Sequence, residues 1–430
     1  MLFNFLYAVE DPSSYMDRAV FCAKAVRALT RVGLLERQKD RSQKKINEIL
    51  IDDALFGASA KALQTILQKD KSLQLRDRVL LMNQSCCNIS AVAQRKAIPL
   101  SVEKWLKQKG ISLEKKEFLA AGSMAQIGIG RYHNRIVAMK IVNPHLKKTD
   151  LTQKLLEAAH IPTKHRSGIC NTEAVVQRLL VAQKEEMDLS RELQCMERCS
   201  ELLSERYRQE ICIPEVFKDI SDKDLLIMEF IEGESLEDIC LKDYSDSIRQ
   251  TVAKRLLQFY FNVLSKGLWL TDLNIGSAKV CIDHATGTVK KVSMLDFGAF
   301  QNIGVEKSRP FIHFILKQDM PSFESFLRAF EYAPQPTETL RKLFSGLIKS
   351  FGRNEDFSFA DNPTEAEDYS NLVQQSIKEN TTGPEDSLII LKWLGQLTEM
   401  LEILLQDDSL NVHATVQEAV RDDKVNGEND

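Results

Sequence analysis

The sequence predicts an α+β fold in two lobes behind an N-terminal helical extension. Three observations carry that expectation. At 430 residues the chain exceeds one typical domain. Apolar, β-branched runs, Ile136–Val142 foremost, are set between long stretches of helical periodicity. Beyond them, a helix, a loop and a hairpin lead into a mostly helical remainder.

Taken in order, residues 13–50 read as helix, with Tyr15, Ala19, Phe21, Val26 and Leu29 recurring on successive turns. Residues 54–70 and 71–108 continue helical, with a turn near Ile98-Pro99, and a strand-like run opens at Leu113. Ile136–Val142 is a strand closed by Asn143-Pro144. From 172 to 208 the pattern is one long, charged helix. Leu225–Phe230 is a further strand, turned by Gly233, and a helix over 246–266 follows. Lys279–Ile282 and Val289–Met294 flank Asp283–Gly287 as a hairpin. Residues 305–405 are mostly helical, with breakers from Asn354 to Pro363, and the acidic tail after Gln406 is expected to fray. The expected divisions are an extension over 1–110, lobes over 111–235 and 236–405, and a flexible tail over 406–430.

The composition, 43% hydrophobic and 27% charged, is that of a globular chain. A net charge of −4 gives no electrostatic reason to expect nucleic acid as a partner. Nine cysteines, an odd number without CxxC spacing, point to a reducing interior compartment rather than a disulfide framework. No stretch reaches the roughly 18–20 apolar residues that span a bilayer. The apolar start, Met1–Val9, lacks a basic region and runs into Glu10 and Asp11, which makes a poor signal or transit peptide.

The chemistry is written in three segments. Val137-Ala138-Met139-Lys140 ends in a lysine on a strand, Thr271-Asp272-Leu273-Asn274-Ile275-Gly276-Ser277 is a loop with an acid, and Leu295-Asp296-Phe297-Gly298 follows. A triphosphate concentrates negative charge. A lysine must hold its α/β-phosphates, a carboxylate must hold Mg²⁺ against them, and a second acid must face the incoming nucleophile. Lys140, Asp296 and Asp272 fit those tasks in protein-kinase order, so the expected fold is a two-lobed, protein-kinase-like one. One element departs: Ser277 stands where a metal-binding Asn is expected, five residues after Asp272. Gly128-Ile129-Gly130 invites a phosphate-loop reading, but its place predicts a strand. Cys195 and Cys199 lie four apart on a helix with no third metal ligand nearby.

Over roughly residues 55–405 the chain resembles the UbiB-type, aarF-domain-containing atypical kinases linked to coenzyme Q biosynthesis. Ala120-Ala121-Gly122-Ser123-Met124-Ala125-Gln126 is similar to that family's alanine-rich nucleotide loop, and Lys140 matches its phosphate lysine. Lys61-Ala62-Leu63-Gln64 resembles its K-x-G-Q signature and Glu186-Met187-Asp188 its E-x-D element. Glu192 falls where the lysine-pairing glutamate belongs. Leu270–Ser277 resembles the family's loop, and Gly383-Pro384-Glu385 with Leu391-Lys392-Trp393 a late helical segment. Leu63 replaces the signature glycine, and Gly122 replaces an alanine, opening φ > 0 to the loop. Ser277 is shorter than Asn and would reach Mg²⁺ through water.

The resemblance implies an ATP-binding, Mg²⁺-dependent kinase or ATPase serving isoprenoid-quinone lipid metabolism. Lys140 and Glu192 form the phosphate pair, Asp272 orients or deprotonates the nucleophile, and Asp296, with Ser277 and Asn274, serves the metal. Ala120, Ala121, Gly122 and Ser123 line the phosphates, Glu229-Phe230-Ile231 offers hinge backbone to adenine, and Lys61, Gln64, Glu186 and Asp188 form a family-specific polar cluster. Beyond ATP and ADP, it implies lipid or quinone-biosynthesis proteins as partners. For location it implies the cytoplasm or peripheral association with an interior membrane face, the matrix side in a eukaryote. Two readings stay open beside it: a nucleotide-binding pseudokinase scaffold, and a protein kinase with an altered loop.

Overall fold

The computed structural model describes residues 98–121, 125–142, 185, 187–273, 275–317, 319–331, 387–405 and 410–421. The helices expected over 13–50 and 54–70 and the breaker-rich interval lie outside them. The described chain divides into two compact units. The first holds the residues through Val142 together with Met187–Ser190 and Glu215–Phe230. The second holds Arg191–Pro214 and the described residues from Ile231 onward.

In the first unit, Pro99 sits at the N-cap of α1 (Leu100–Gln108), a place where a missing N–H costs nothing. The strands β1 (Ser112–Leu113), β2 (Ala120–Ala121), β3 (Ala125–Tyr132) and β4 (Arg135–Val142) follow. β3 turns into β4 over His133 and Asn134, both at positive φ, as a tight two-residue hairpin requires. The chain passes through α2 (Leu189–Leu202), α3 (Glu205–Arg208) and β5 (Ile211–Cys212) before returning as β6 (Leu225–Glu229). The sheet is antiparallel, ordered β1-β3-β4-β6, with β2 also paired to β3.

Strand periodicity explains its core. Val137, Met139 and Ile141 alternate onto one face of β4 and pack with Leu225 and Ile227 of β6 and Leu106 of α1. Gly128 and Gly130 lie inside β3, as their position in the sequence predicts. A methyl group on Gly130 would stand 2.9 Å from Ile111 Cγ2, Met139 Sδ and the Ser112 carbonyl, so packing accounts for this glycine. Lys109 Nζ to Asp222 (2.7 Å) and Tyr132 Oη to Asp219 (2.9 Å) tie the sheet to the segment leading into β6.

The second unit continues with β7 (Glu234–Ser235), α4 (Leu236–Leu241), α5 (Asp246–Ser265) and β8 (Leu268–Leu270). A 3₁₀ turn at Ile275–Ser277 precedes β9 (Ala278–Asp283), β10 (Thr288–Met294) and β11 (Phe300–Asn302). The helices α6 (Val305–Lys317), α7 (Met320–Ala329), α8 (Ser387–Leu405) and α9 (Val412–Arg421) complete it. Every residue of α5 from Leu256 to Ser265 is buried, the mark of a central core helix. Trp269 of β8 anchors an aromatic cluster with Phe311 (6.0 Å between centroids), Phe330 (6.5 Å) and Trp393 (6.1 Å). No described helix is long and apolar enough to cross a membrane.

Two expectations are corrected. The helix read over 172–208 is interrupted within its described part. Asp188 Oδ1 accepts the Ser190 N–H at 3.1 Å and starts α2, and Leu203-Ser204 separates α2 from α3. The tail expected to be flexible over 406–430 contains α9. Val412, Thr415, Val416 and Ala419, spaced as one helical face, are buried, Asn262 Nδ2 donates to the Ala419 carbonyl at 3.3 Å, and Lys254 Nζ meets Glu418 at 3.1 Å. An apolar stripe outweighs the acidic composition there.

Candidate functional site

In the first unit the sheet positions the candidate residues through its backbone. Ala120 pairs with Ile127 and Ala121 with Gln126, which sets β2 against β3 on either side of the sequence positions of Gly122 and Ser123. Those two residues lie outside the described set, as do Lys61, Gln64, Glu186 and Asn274. Lys140 is on β4, paired to Ile127 on one side and Leu226 on the other. Glu229 closes β6. Its N–H donates to the Glu215 carbonyl at 2.8 Å and its carboxylate accepts the Glu215 N–H at 3.3 Å. Phe230 belongs to this unit and Ile231 to the other. Asp188 also belongs to this unit, where its carboxylate is engaged at the start of α2.

In the second unit two loops are joined at both ends. The loop after β8 carries Asp272, and the loop after β10 carries Asp296. Antiparallel pairing of β8 with β11 sets Leu270 opposite Phe300, and Thr271 N–H donates to the Ala299 carbonyl at 2.9 Å. At the other end Ala278 pairs with Met294, and Leu295 N–H donates to the Ser277 carbonyl at 2.7 Å. Residues 24 positions apart in sequence are thereby held side by side.

Asp296 Oδ1 accepts the Gly298 N–H at 3.2 Å, a local turn that fixes the carboxylate. Phe297 is buried and lies edge-on to Phe259 of α5, centroids 6.2 Å apart. Its N–H donates at 3.3 Å to Oε1 of Glu192, a carboxylate of α2 only 2% exposed. A methyl group on Gly298 would contact Asp296 Oδ1 at 3.5 Å and Glu192 Oε2 at 3.6 Å, so this glycine lies against both acids. Asp272, Ser277, Asp296 and Glu192 are therefore gathered in one unit, and Lys140, Ala120, Ala121 and Glu229 in the other.

Two neighbours, Tyr260 and Gln396, escape a motif search. Ser277 is buried and hydrogen-bonds with the Tyr260 hydroxyl of α5. Burial pushes the Tyr260 phenol up, the Ser277 bond eases it, and the nearby Asp296 and Asp272 carboxylates push it further, so Tyr260 is a neutral phenol. Gln396 of α8 donates from Nε2 to Asp272 Oδ1 at 3.1 Å and accepts the Leu273 N–H on Oε1 at 3.3 Å. Cys195 sits below Glu192. A hydrogen bond with Cys199 and burial push its thiol up, with Glu192 and Asp296 adding to the effect, which makes it an inert core thiol. The one signal for Gln396 is an amide on the apolar face of a helix that buries Trp393, Leu397 and Met400.

The donor set suits a hard cation delivered with its ligand. Among the described residues no group of three or more His, Cys, Asp or Glu side chains could hold a metal ion. Mg²⁺ is commonly bound by one or two carboxylates plus substrate phosphates, and the Asp296 carboxylate is the one that could hold it here.

No curated protein matches the chain. Among solved structures, Rv3197 of Mycobacterium tuberculosis, determined with erythromycin, is 14% identical, with a TM-score of 0.44 over 90% of this chain and 99% of that one. The kinase domain of PknI from the same organism is 10% identical, with a TM-score of 0.27 over 62% of this chain and 96% of that one. The model of the ABC1 atypical kinase-like domain matches residues 83–321, more than half of the 430. That segment carries all three described sheets, the paired loops and the strand lysine, and by this match the chain belongs to the ABC1 atypical kinase-like family.

Proposed function

We propose that the chain is an ATP-binding, Mg²⁺-dependent atypical kinase or ATPase of the UbiB type, supporting isoprenoid-quinone lipid metabolism. The double joining of the Asp272 and Asp296 loops, with Glu192 on the Phe297 N–H, carries the reading. Lys140 holds the α/β-phosphates and serves as the charge partner of Glu192. Ala120, Ala121, Gly122 and Ser123 lie along the phosphates, and backbone at Glu229 and Ile231 receives adenine. Asp272 orients the nucleophile or takes its proton. Asp296 holds Mg²⁺, which when bound neutralises phosphate charge, and Ser277 reaches it through water. Lys61, Gln64, Glu186 and Asp188 form the polar cluster of the resembled family. The quinone assignment is supported by the resemblance at Leu270–Ser277, with Ala120–Gln126 and Lys61–Gln64 as marks of the wider family. It brings lipid or quinone-biosynthesis proteins as partners and peripheral association with an interior membrane face.

A second reading, a nucleotide-binding pseudokinase scaffold, draws on one observation: the Ser277 hydroxyl at the metal position is engaged with Tyr260. Nucleotide-dependent thermal stabilisation, with and without Mg²⁺, separates the two. A ligand at a hundred times its Kd stabilises by about 2.7 kcal/mol. The enzyme reading expects a Mg²⁺-dependent shift, lost in Asp296→Asn and Lys140→Ala, together with ATP turnover. A metal-independent shift without turnover favours the scaffold, and no shift in a folded protein removes both.

A further inference from the structure

We propose that Gln396 is a positioning residue for the reaction, acting through Asp272; the inference rests on the nucleophile-orienting role assigned to Asp272 above. The amide's polarity is fixed by its partners. A carboxylate oxygen bonded to an amide N–H must accept, and a backbone N–H must donate, so Nε2 faces Asp272 and Oε1 faces Leu273. One side chain thus grips two consecutive loop residues, setting the Asp272 carboxylate and the peptide that follows it. Gln396 is 6% exposed and Leu273 fully buried, so water does not substitute freely for the Leu273 bond, and the half-buried Asp272 carboxylate is met from an interior amide.

The support behind Gln396 is rigid. Three residues earlier on α8, Trp393 is wedged against Phe261 (5.8 Å), Phe311 (5.9 Å) and Trp269 (6.1 Å), and Trp269 stands in β8, three residues before Asp272. The aromatic cluster fixes both ends of the amide–carboxylate bond. A neutral donor is also apt chemically, because it orients a carboxylate without the basicity loss that a cation in contact would impose. Among the described residues, the Tyr260 phenol of α5 lies near both Asp272 and Asp296, and α8 meets the Asp272 carboxylate with the neutral amide. Gln396 lies beyond residue 321, so a helix outside the matched family segment contributes to the site.

Gln396→Glu tests this with little change of shape. It keeps the acceptor for Leu273 and replaces the donor with a second carboxylate at hydrogen-bond distance from Asp272. Two such acids share a proton. In ATP hydrolysis by the full chain, kcat at pH 7 should fall at least about ten-fold, KM for ATP should stay within about two-fold, and the acidic limb of the kcat profile should move up by about one pH unit or more. A wild-type pH profile with wild-type kcat overturns the proposal. A second arm needs no activity. The melting temperature of Gln396→Glu should drop relative to wild type as pH rises from 5 to 8, and Asp272→Asn in the same chain should abolish that pH dependence. A difference that is flat with pH, or that persists in the double variant, also overturns it. A folded wild type that turns over no ATP overturns the enzymatic reading and the catalytic role with it, and the melting arm then shows separately whether the two side chains are coupled.

Discussion

In the sheet unit, Lys140 owes its place to main-chain hydrogen bonds on both sides of β4 and to a core whose glycines admit Met139 and Ile111. In the second unit, main-chain pairing closes the loops of Asp272, Asp296 and Ser277 at their bases, and between those bases side chains from α2, α5 and α8 hold them in place. A ladder tolerates most side-chain changes but no added volume where backbones approach. A side-chain scaffold tolerates changes of loop surface but not the loss of a single amide or carboxylate.

The contrast can be broken or sharpened by experiment. The largest expected effect is on turnover: Asp272→Asn should lower kcat by about 10²–10⁴-fold, equal to roughly 3–5 kcal/mol, with little change in unfolding midpoint. Parallel loss of stability would show the loop to be structural first. Next, Gly130→Ala should destabilise by about 1–3 kcal/mol in urea unfolding, because one of the three atoms met at 2.9 Å is the Ser112 backbone carbonyl. Gly128→Ala should cost less, since its nearest neighbour is the mobile Met139 methyl. Equal costs would contradict a sheet half limited by backbone approach. Val416→Ala on α9 removes two buried methyl groups and should cost about 1.5–2 kcal/mol.

The smallest effect depends on pH. Asp319 caps α7, and hydrogen bonds from the Ser322 side chain and N–H hold its carboxyl below the usual range. A depressed folded pKa contributes stability in full above the unfolded value, about 3.9, and loses it as pH falls through the folded value. Asp319→Ala should therefore cost about 1 kcal/mol near neutrality and progressively less in acid, read by melting temperature from pH 7 to pH 2.5. A cost that is constant across that range would mean that the charge of the cap is irrelevant.

Much of this was legible in the sequence because it is local. The strand read over Ile136–Val142 is β4, the hairpin around Asp283–Gly287 is β9–β10, and the helix read over 246–266 is α5, each set by periodicity within its own segment. Fixed spacing singled out Asp272 and Asp296, which the structure sets on adjoining loops. Gln396 and Tyr260 were not legible. Their partners lie 124 and 17 residues away, and nothing local distinguishes a buried amide that grips a loop from one satisfied elsewhere. The α9 helix is illegible for a related reason: the acidic composition around it masks the helical spacing of the buried Val412, Val416 and Ala419.

The β9–β10 hairpin separates the two acid-bearing loops in sequence, while both loops are closed at its base. Its tip, His284–Gly287, is exposed and lies at the far end of two strands from that base. Chain length at the tip is therefore decoupled from the spacing of Asp272 and Asp296 in space. An epitope tag or a fluorophore-bearing segment inserted between Ala285 and Gly287 should leave the acids in register, whereas a single residue added between Leu270 and Ala278 would shift one loop against the other. The molecule offers an engineer a labelling port that leaves the site undisturbed.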